Sequence, residues 1–291
     1  VLLQQVVNGL TLGAVYTLIA LSFSLVMGIF GVLNLAIAEL FMIGGYIGFS
    51  AIAAQLPLPV AVVLGMSGGA ILAILIEKIA YEPLRESSLI TPMLSTLGCS
   101  LILQNLATNV WGSDPLQLPD ELLGGQLHLG AVTIGSMQVI VLVASVLLVA
   151  VLGFMIQRTR MGRAVRAVAE NPDMAQLLGI SAGRVTLLVF ILSGALAGAA
   201  GVLIGLHYAA ITPYVGVETG LKAIAVMVVG GVTRIWGALA AGPLVGMLEV
   251  LTVAYGGSQV RDLVVYGFMI LILLIRPQGL LGERQADLGR V

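Results

Sequence analysis

Nine apolar runs, near residues 9–30, 36–54, 58–77, 89–110, 132–156, 185–209, 219–233, 236–255 and 262–276, take up most of this chain. A helix crossing the bilayer core needs roughly 20 apolar residues, fewer where it is broken and protected by neighbours. Lipid offers no partner to a peptide N–H or C=O, so such runs must be helices with their backbone bonds internal. The expected fold is all-α and polytopic, with about nine transmembrane helices in a single domain over 1–291. The seventh run is short, and either spans or re-enters. Composition agrees: 59% of residues are hydrophobic and only 9% charged, where soluble domains carry about a quarter charged. No basic run is dense enough for nucleic acid, and no charged segment with a small-residue cleavage site marks a signal peptide.

Basic residues set the expected orientation. Lys78, Arg85, Arg158, Arg160, Arg163, Arg166, Arg184, Arg234, Arg276, Arg284 and Arg290 fall on one side of a nine-span chain, leaving Lys222 and Arg261 opposite. The other side carries Asp114, Asp120, Glu121, Glu218 and Asp262. By the positive-inside rule the N-terminus is expected outside and the C-terminus in the cytoplasm. The largest outer segment, Trp111 to Gly130, is rich in Pro and Gly; it is either a lid or a surface for an external partner. His128 within it has no histidine or cysteine nearby with which to hold a metal. Cys99, the single cysteine, lies in an apolar stretch and reads as packing.

The one long polar interval, 157–184, holds five of the thirteen basic residues. Good helix formers fill Arg163 to Glu170, and Pro172 pushes Asn171 out of the α region. Asp173 is the expected cap of a second short helix, Met174 to Leu178, with Gly179 as its left-handed stop. The product is a compact hairpin that either fixes topology or docks on a soluble partner.

Two breaks interrupt the apolar pattern: Gly28 to Asn34 after the first span, and Pro213 to Gly220 after the sixth. Each follows the first span of a four-span group, at opposite membrane ends. This spacing predicts an inverted repeat, spans one to four against six to nine, with two broken helices whose unpaired N–H groups face a transport path. Asn34, Glu39, Gly216, Thr219 and Gly220 border that path. Ionisable groups within spans are costly and functional or paired: Glu39 reads as a cap or a path residue, Glu249 as a bond to another helix, and Asn105 with Gln104 as interhelical glue. Glycine and alanine pairs such as Gly194 and Gly198 permit close helix approach.

The hairpin run Gly162-Arg163-Ala164, Arg166-Ala167, Ala169-Glu170-Asn171, Ala175 and Leu178-Gly179-Ile180 resembles the cytoplasmic coupling loop of ABC-importer permeases of the branched-chain amino acid, LivH type. The resemblance continues through Asn8-Gly9, Gly13, Tyr16, Asn34-Leu35-Ala36, Glu39, Met42-Ile43-Gly44 and Tyr46. It returns at Gly220, Lys222-Ala223, Val229-Gly230-Gly231, Gly242, Gly246, Glu249 and Arg276-Pro277-Gln278-Gly279-Leu280. One departure stands out: Ile37 and Ala38 occupy positions where the family usually has His-Gly. The resemblance implies a permease subunit in the bacterial inner membrane, importing branched-chain or other hydrophobic amino acids. Its expected partners are a second homologous permease, two ATPase subunits, an external binding protein and lipid, with no cofactor or metal. Arg163, Arg166, Glu170, Asn171, Pro172, Asp173 and Gly179 would form the ATPase-docking hairpin. Relatives of this type also carry urea, short amides or aromatic acids. No phosphate-cradling Gly-x-x-x-x-Gly-Lys-Ser/Thr run is present, so hydrolysis is expected in partner subunits. The competing class is a stand-alone secondary transporter or channel.

Overall fold

The computed structural model describes residues 2–84, 87–88, 90–118, 125–129, 132–232 and 234–282. Arg85, Asp120, Glu121, Arg284 and Arg290, used above for orientation, lie outside the described residues, as does the side chain of His128. The apolar runs form helices: α1 (Leu2–Phe30), α2 (Ile37–Ala53), α3 (Leu58–Ile76), α4 (Ile90–Trp111) and α5 (Ser136–Arg158). The polar hairpin follows as α6 (Arg160–Glu170) and α7 (Pro172–Leu177), then α8 (Ala182–Tyr208), α9 (Val215–Gly230), α10 (Ile235–Gly256) and α11 (Arg261–Ile275). The chain is therefore an all-α polytopic membrane protein. Among the described residues, seven stretches are long and apolar enough to cross a membrane, counting the turns that extend α3 and precede α11. The helices α2, with 17 residues, and α9, with 16, are shorter.

Small residues decide which helices meet. Gly9 and Gly13 of α1 lie against Met247, Gly242 and Gly246 of α10, running antiparallel. Gly194 and Gly198 of α8 lie in the same way against Gly65, Gly69 and Ala73 of α3. A Cβ on any of these glycines would collide with facing backbone or with Ala73, so close approach itself requires glycine. The two helix pairs correspond element for element, α1 with α8 and α3 with α10. Moreover, α1 and α8 run antiparallel: the Ser193 hydroxyl donates to the Ser22 carbonyl and Phe190 packs on Phe30. An inverted relation between the α1–α4 and α8–α11 halves follows from these contacts. The paired first helices form the core, with 83% of the apolar window of α1 and 72% of that of α8 buried, against 6% for the window containing α11.

The first break spans residues 31–36, and Gly31 turns it with a φ of +64°. The second is shorter than the glycine pattern suggests. It covers only 209–214, and Gly216 to Gly220 form the opening turns of α9 rather than a break. Its two-residue strand β4 (Ala210–Ile211) pairs with β1 (Leu116–Gln117), tying the loop after α4 to the α8–α9 connection. Between them in sequence, β2 (Gln126–Leu129) pairs with β3 (Val132–Gly135), so α5 starts at Ser136 instead of near 132.

The far end of α9 is also held. Leu280 N–H donates to the Val229 carbonyl at 2.7 Å and Leu281 N–H to Gly230 at 3.2 Å. Leu280, the end of the Arg276-Pro277-Gln278-Gly279-Leu280 segment, and Leu281 after it thereby supply donors to carbonyls that a helix end leaves unpaired.

Candidate functional site

The helices α2 and α8 run parallel: the backbone at Phe41 meets Gly201, and Phe49 meets Gly205. From Tyr208 the chain turns back alongside α2, placing Ile211 on Gly45 and then Gly216 on Ala38 and Glu39. The first turn of α9 therefore lies about ten residues, ~15 Å at 1.5 Å per residue, back from the end of α8. Half a bilayer core is about that deep. Hence the N-terminal turns of α2 and α9, helices shorter than the long spans around them, meet inside the bundle.

At the meeting point the packing leaves no slack. A Cβ on Gly216 would stand 2.6 Å from the Ala38 carbonyl oxygen and 3.0 Å from Glu39 Oε2, and one on Gly220 would stand 2.8 Å from the Ala38 Cβ. Of the expected path residues, Glu39, Gly216 and Gly220 are thus brought together. Thr219 is buried on the same helix, and Asn34 is buried in the turn that leads into α2. The Asn34 carboxamide oxygen accepts from Ala36 N–H at 3.1 Å. Its Nδ2 has no hydrogen-bond partner among the described residues.

Glu39 is 0% exposed. The Ser100 hydroxyl of α4 donates to its Oε1 at 3.2 Å, while Oε2 has no partner among the described residues and faces Gly216. A carboxyl buried there is met by the positive ends of two helix dipoles. Of the two sequence alternatives, the cap is not formed: among the described residues the Glu39 carboxyl accepts from no backbone N–H, and it lies in the first turn of α2 facing Gly216 of α9.

Glu249 is tied to three other helices. Tyr16 of α1 donates to Oε2 at 2.8 Å and Lys222 of α9 to Oε1 at 2.6 Å, while Arg261 of α11 stands 3.5 Å from Oε1. Lys222 also pairs with Asp262 at 3.2 Å. Sequence reading placed Lys222 and Arg261 as exceptions to the charge rule; the fold makes them partners of Glu249, which is the expected interhelical role for that residue. Asn105 does otherwise. Its amide donates to Leu101 within its own helix at 2.8 Å and the residue is exposed, so it glues no helices here.

The hairpin differs in detail from its sequence reading. The helix α6 starts at Arg160, where the Thr159 hydroxyl accepts from Gly162 N–H at 3.1 Å. The cap of α7 is Asn171, not Asp173: its Oδ1 accepts from Asp173 and Met174 N–H, both at 3.0 Å. The extended backbone that Pro172 imposes on Asn171 aims that side chain at the first free amides. Gly179 does take the left-handed stop, with a φ of +82°. Arg166 reaches back to donate to the Ile156 carbonyl at the end of α5. Arg163, Glu170, Pro172 and Asp173 are exposed, and so, unexpectedly, are Met174 at 58%, Leu177 at 82% and Leu178 at 79%. Sequence reading missed those three apolar side chains, although a short helix with Met and two leucines after its cap contained the signal.

Comparison with known proteins extends over nearly the whole chain. A family model described as branched-chain amino acid transport system / permease component matches residues 5–274. The high-affinity branched-chain amino acid transport system permease protein LivH of Salmonella typhimurium is 38% identical, covering 98% of this chain and 97% of its own length. The corresponding BraD protein of Pseudomonas aeruginosa is also 38% identical over 98% of this chain and 97% of its own. A probable branched-chain amino acid transport permease protein of Methanocaldococcus jannaschii is 32% identical over 94% of this chain and 90% of its own. No solved structure matches.

Proposed function

This chain belongs to the branched-chain amino acid transport permease family, and from that premise we propose that it is the transmembrane subunit of an ATP-binding-cassette importer for branched-chain amino acids. The observation that carries the reading is the meeting of the N-terminal turns of α2 and α9 at Glu39, Gly216 and Gly220 inside an inverted bundle. Helix ends inside a membrane bundle, with their unpaired N–H groups, are where transporters hold a polar solute away from water. Close packing of Ala38 on Gly216 and Gly220 closes the path at that level, so passage requires α2 and α9 to part. Such parting needs a drive, and the hairpin at 157–184 is suited to receive one from ATPase subunits. It presents Met174, Leu177 and Leu178 beside Arg163, Glu170 and Asp173, an apolar centre with a charged rim of the kind that protein interfaces use.

In this reading the domain spans 1–291, sits in the inner membrane with the hairpin and C-terminus in the cytoplasm, and pairs with a second homologous permease. An external binding protein loads it from the other side. Purified complex in lipid nanodiscs, with ATP and the binding protein, tests the coupling. Leucine-loaded binding protein should raise ATP hydrolysis over the unloaded protein; equal rates with and without leucine contradict the assignment.

A further inference from the structure

The end of the bundle opposite the hairpin contains a cavity of about 340 Å³ lined by both polar and apolar side chains. Glu249, Arg261, His207, Tyr208, Asn8 and Gln138 supply its polar wall, and Leu12, Val250, Val253 and Ala254 its apolar one. Within this wall Gln138 donates to the Asn8 side-chain oxygen at 3.1 Å, and His207 Nδ1 is buried with no partner among the described residues. The charges around Glu249 balance: Lys222 and Arg261 against Glu249 and Asp262.

The inverted halves make this cluster conspicuous. Aligning the helix pairs on their glycine contacts, and α2 and α9 on their first turns, sets Gly201 opposite Tyr16, Gly44 opposite Lys222 and Leu72 opposite Glu249. One half is closed by close packing at the place where the other carries an open cavity and an ionic network with Lys222 and Glu249 buried and Arg261 and Asp262 partly exposed. Packing alone does not call for four charges there, since an apolar replacement of a buried ion pair is commonly neutral or stabilising.

We propose that this cavity is a binding site for the head group of a zwitterionic α-amino acid, with the substrate carboxylate on Arg261, its ammonium on Glu249, and its side chain against Leu12, Val250 and Val253. Charge-assisted hydrogen bonds of both signs are available side by side, Arg261 Nε lying 3.5 Å from Glu249 Oε1. In an α-amino acid the ammonium and carboxylate are likewise neighbours on one carbon. A balanced cluster accepts a zwitterion without acquiring net buried charge, whereas a lone cation or anion leaves one. The volume suits a small solute. The inference rests on the amino acid importer reading and deepens it by locating the substrate on its way in.

Equilibrium binding of labelled leucine to the permease–ATPase complex in nanodiscs tests the site, with leucinol, which lacks the carboxylate, and 4-methylpentanoate, which lacks the ammonium, as competitors. Wild type should prefer leucine over each analogue by about tenfold or more, the worth of one charge-assisted bond. Arg261→Gln should bind leucine no better than leucinol while still discriminating against 4-methylpentanoate; Glu249→Gln should do the reverse. This crossed pattern is one that a purely structural role does not produce. Unchanged ranking in the variants, or equal loss for all three compounds, overturns the proposal. Arg261, whose side chain is 31% exposed, carries the test alone if Glu249→Gln fails to insert. ATP-driven leucine uptake by the wild-type complex separates the two claims. Uptake without saturable binding in the cavity rejects the site and keeps the importer; absence of uptake rejects the importer.

Discussion

Replacing Leu177 and Leu178 together by serine removes most of the apolar surface that the hairpin offers to a partner. The two side chains are 82% and 79% exposed, and burying a leucine contributes about 1.5–3 kcal/mol. Scaled to that exposure, full burial on docking gives roughly 2 kcal/mol each. The double variant should then lose about 3–4 kcal/mol, several hundredfold in affinity for the ATPase subunits. The hairpin itself should persist, because the Asn171 cap, the Gly179 stop and buried Ala175 are untouched. Surface-captured permease in nanodiscs, titrated with purified ATPase subunit, reads the affinity directly. Leucine-stimulated hydrolysis reads the consequence. An affinity within threefold of wild type would show that this face is not the docking surface and would remove the basis for coupling through it.

Other perturbations separate packing from function. Asn171→Ala should destabilise the hairpin by about 1 kcal/mol through loss of the α7 cap, while Asp173→Ala costs less; proteolysis within 157–184 ranks the two. Gly198→Ala drives a Cβ into the Gly65 carbonyl and should lower stability by about 1–3 kcal/mol, read in a thermal melt. Gly98→Ala, with open space around it, should match or slightly exceed wild type in the same thermal melt. Lys222→Met leaves Glu249 to Tyr16 and Arg261 and should cost about 3 kcal/mol, with Lys222→Met/Glu249→Leu recovering at least half by the same assay.

Much of this fold could be read from the amino-acid sequence because lipid removes alternatives: an apolar run long enough to span must be helical. The start of α2 was legible as a glycine break with Glu39 as a misplaced charge beside it, whereas the glycines read as a second break, Gly216 and Gly220, lie inside α9. Periodicity does not say which helices touch. Gly9 with Gly246 and Gly194 with Gly69 are contacts between distant segments, visible only once both halves are superposed in space. The same holds for Lys222 and Arg261, which meet Glu249 on another helix. Local competition explains the remaining differences. Asn171 and Asp173 are both good caps, and the geometry that Pro172 forces on its predecessor selects Asn171. Asn105 is polar within an apolar helix, yet its amide is taken up by the Leu101 carbonyl of the same helix. Ala38, which with Ile37 stands where the resemblance leads one to expect His-Gly, packs against both Gly216 and Gly220 in the fold.

The central claim is ATP-driven movement of a branched-chain amino acid along a path closed by Ala38, Gly216 and Gly220. Uptake of labelled leucine into vesicles bearing the complete complex and its binding protein tests it most directly, with and without ATP, against urea, short amides and aromatic acids as competitors. The account predicts ATP-dependent leucine uptake that those competitors leave unchanged. Uptake that ignores ATP contradicts the account and favours a secondary transporter, and ATP-dependent uptake of a competitor in place of leucine contradicts its choice of substrate.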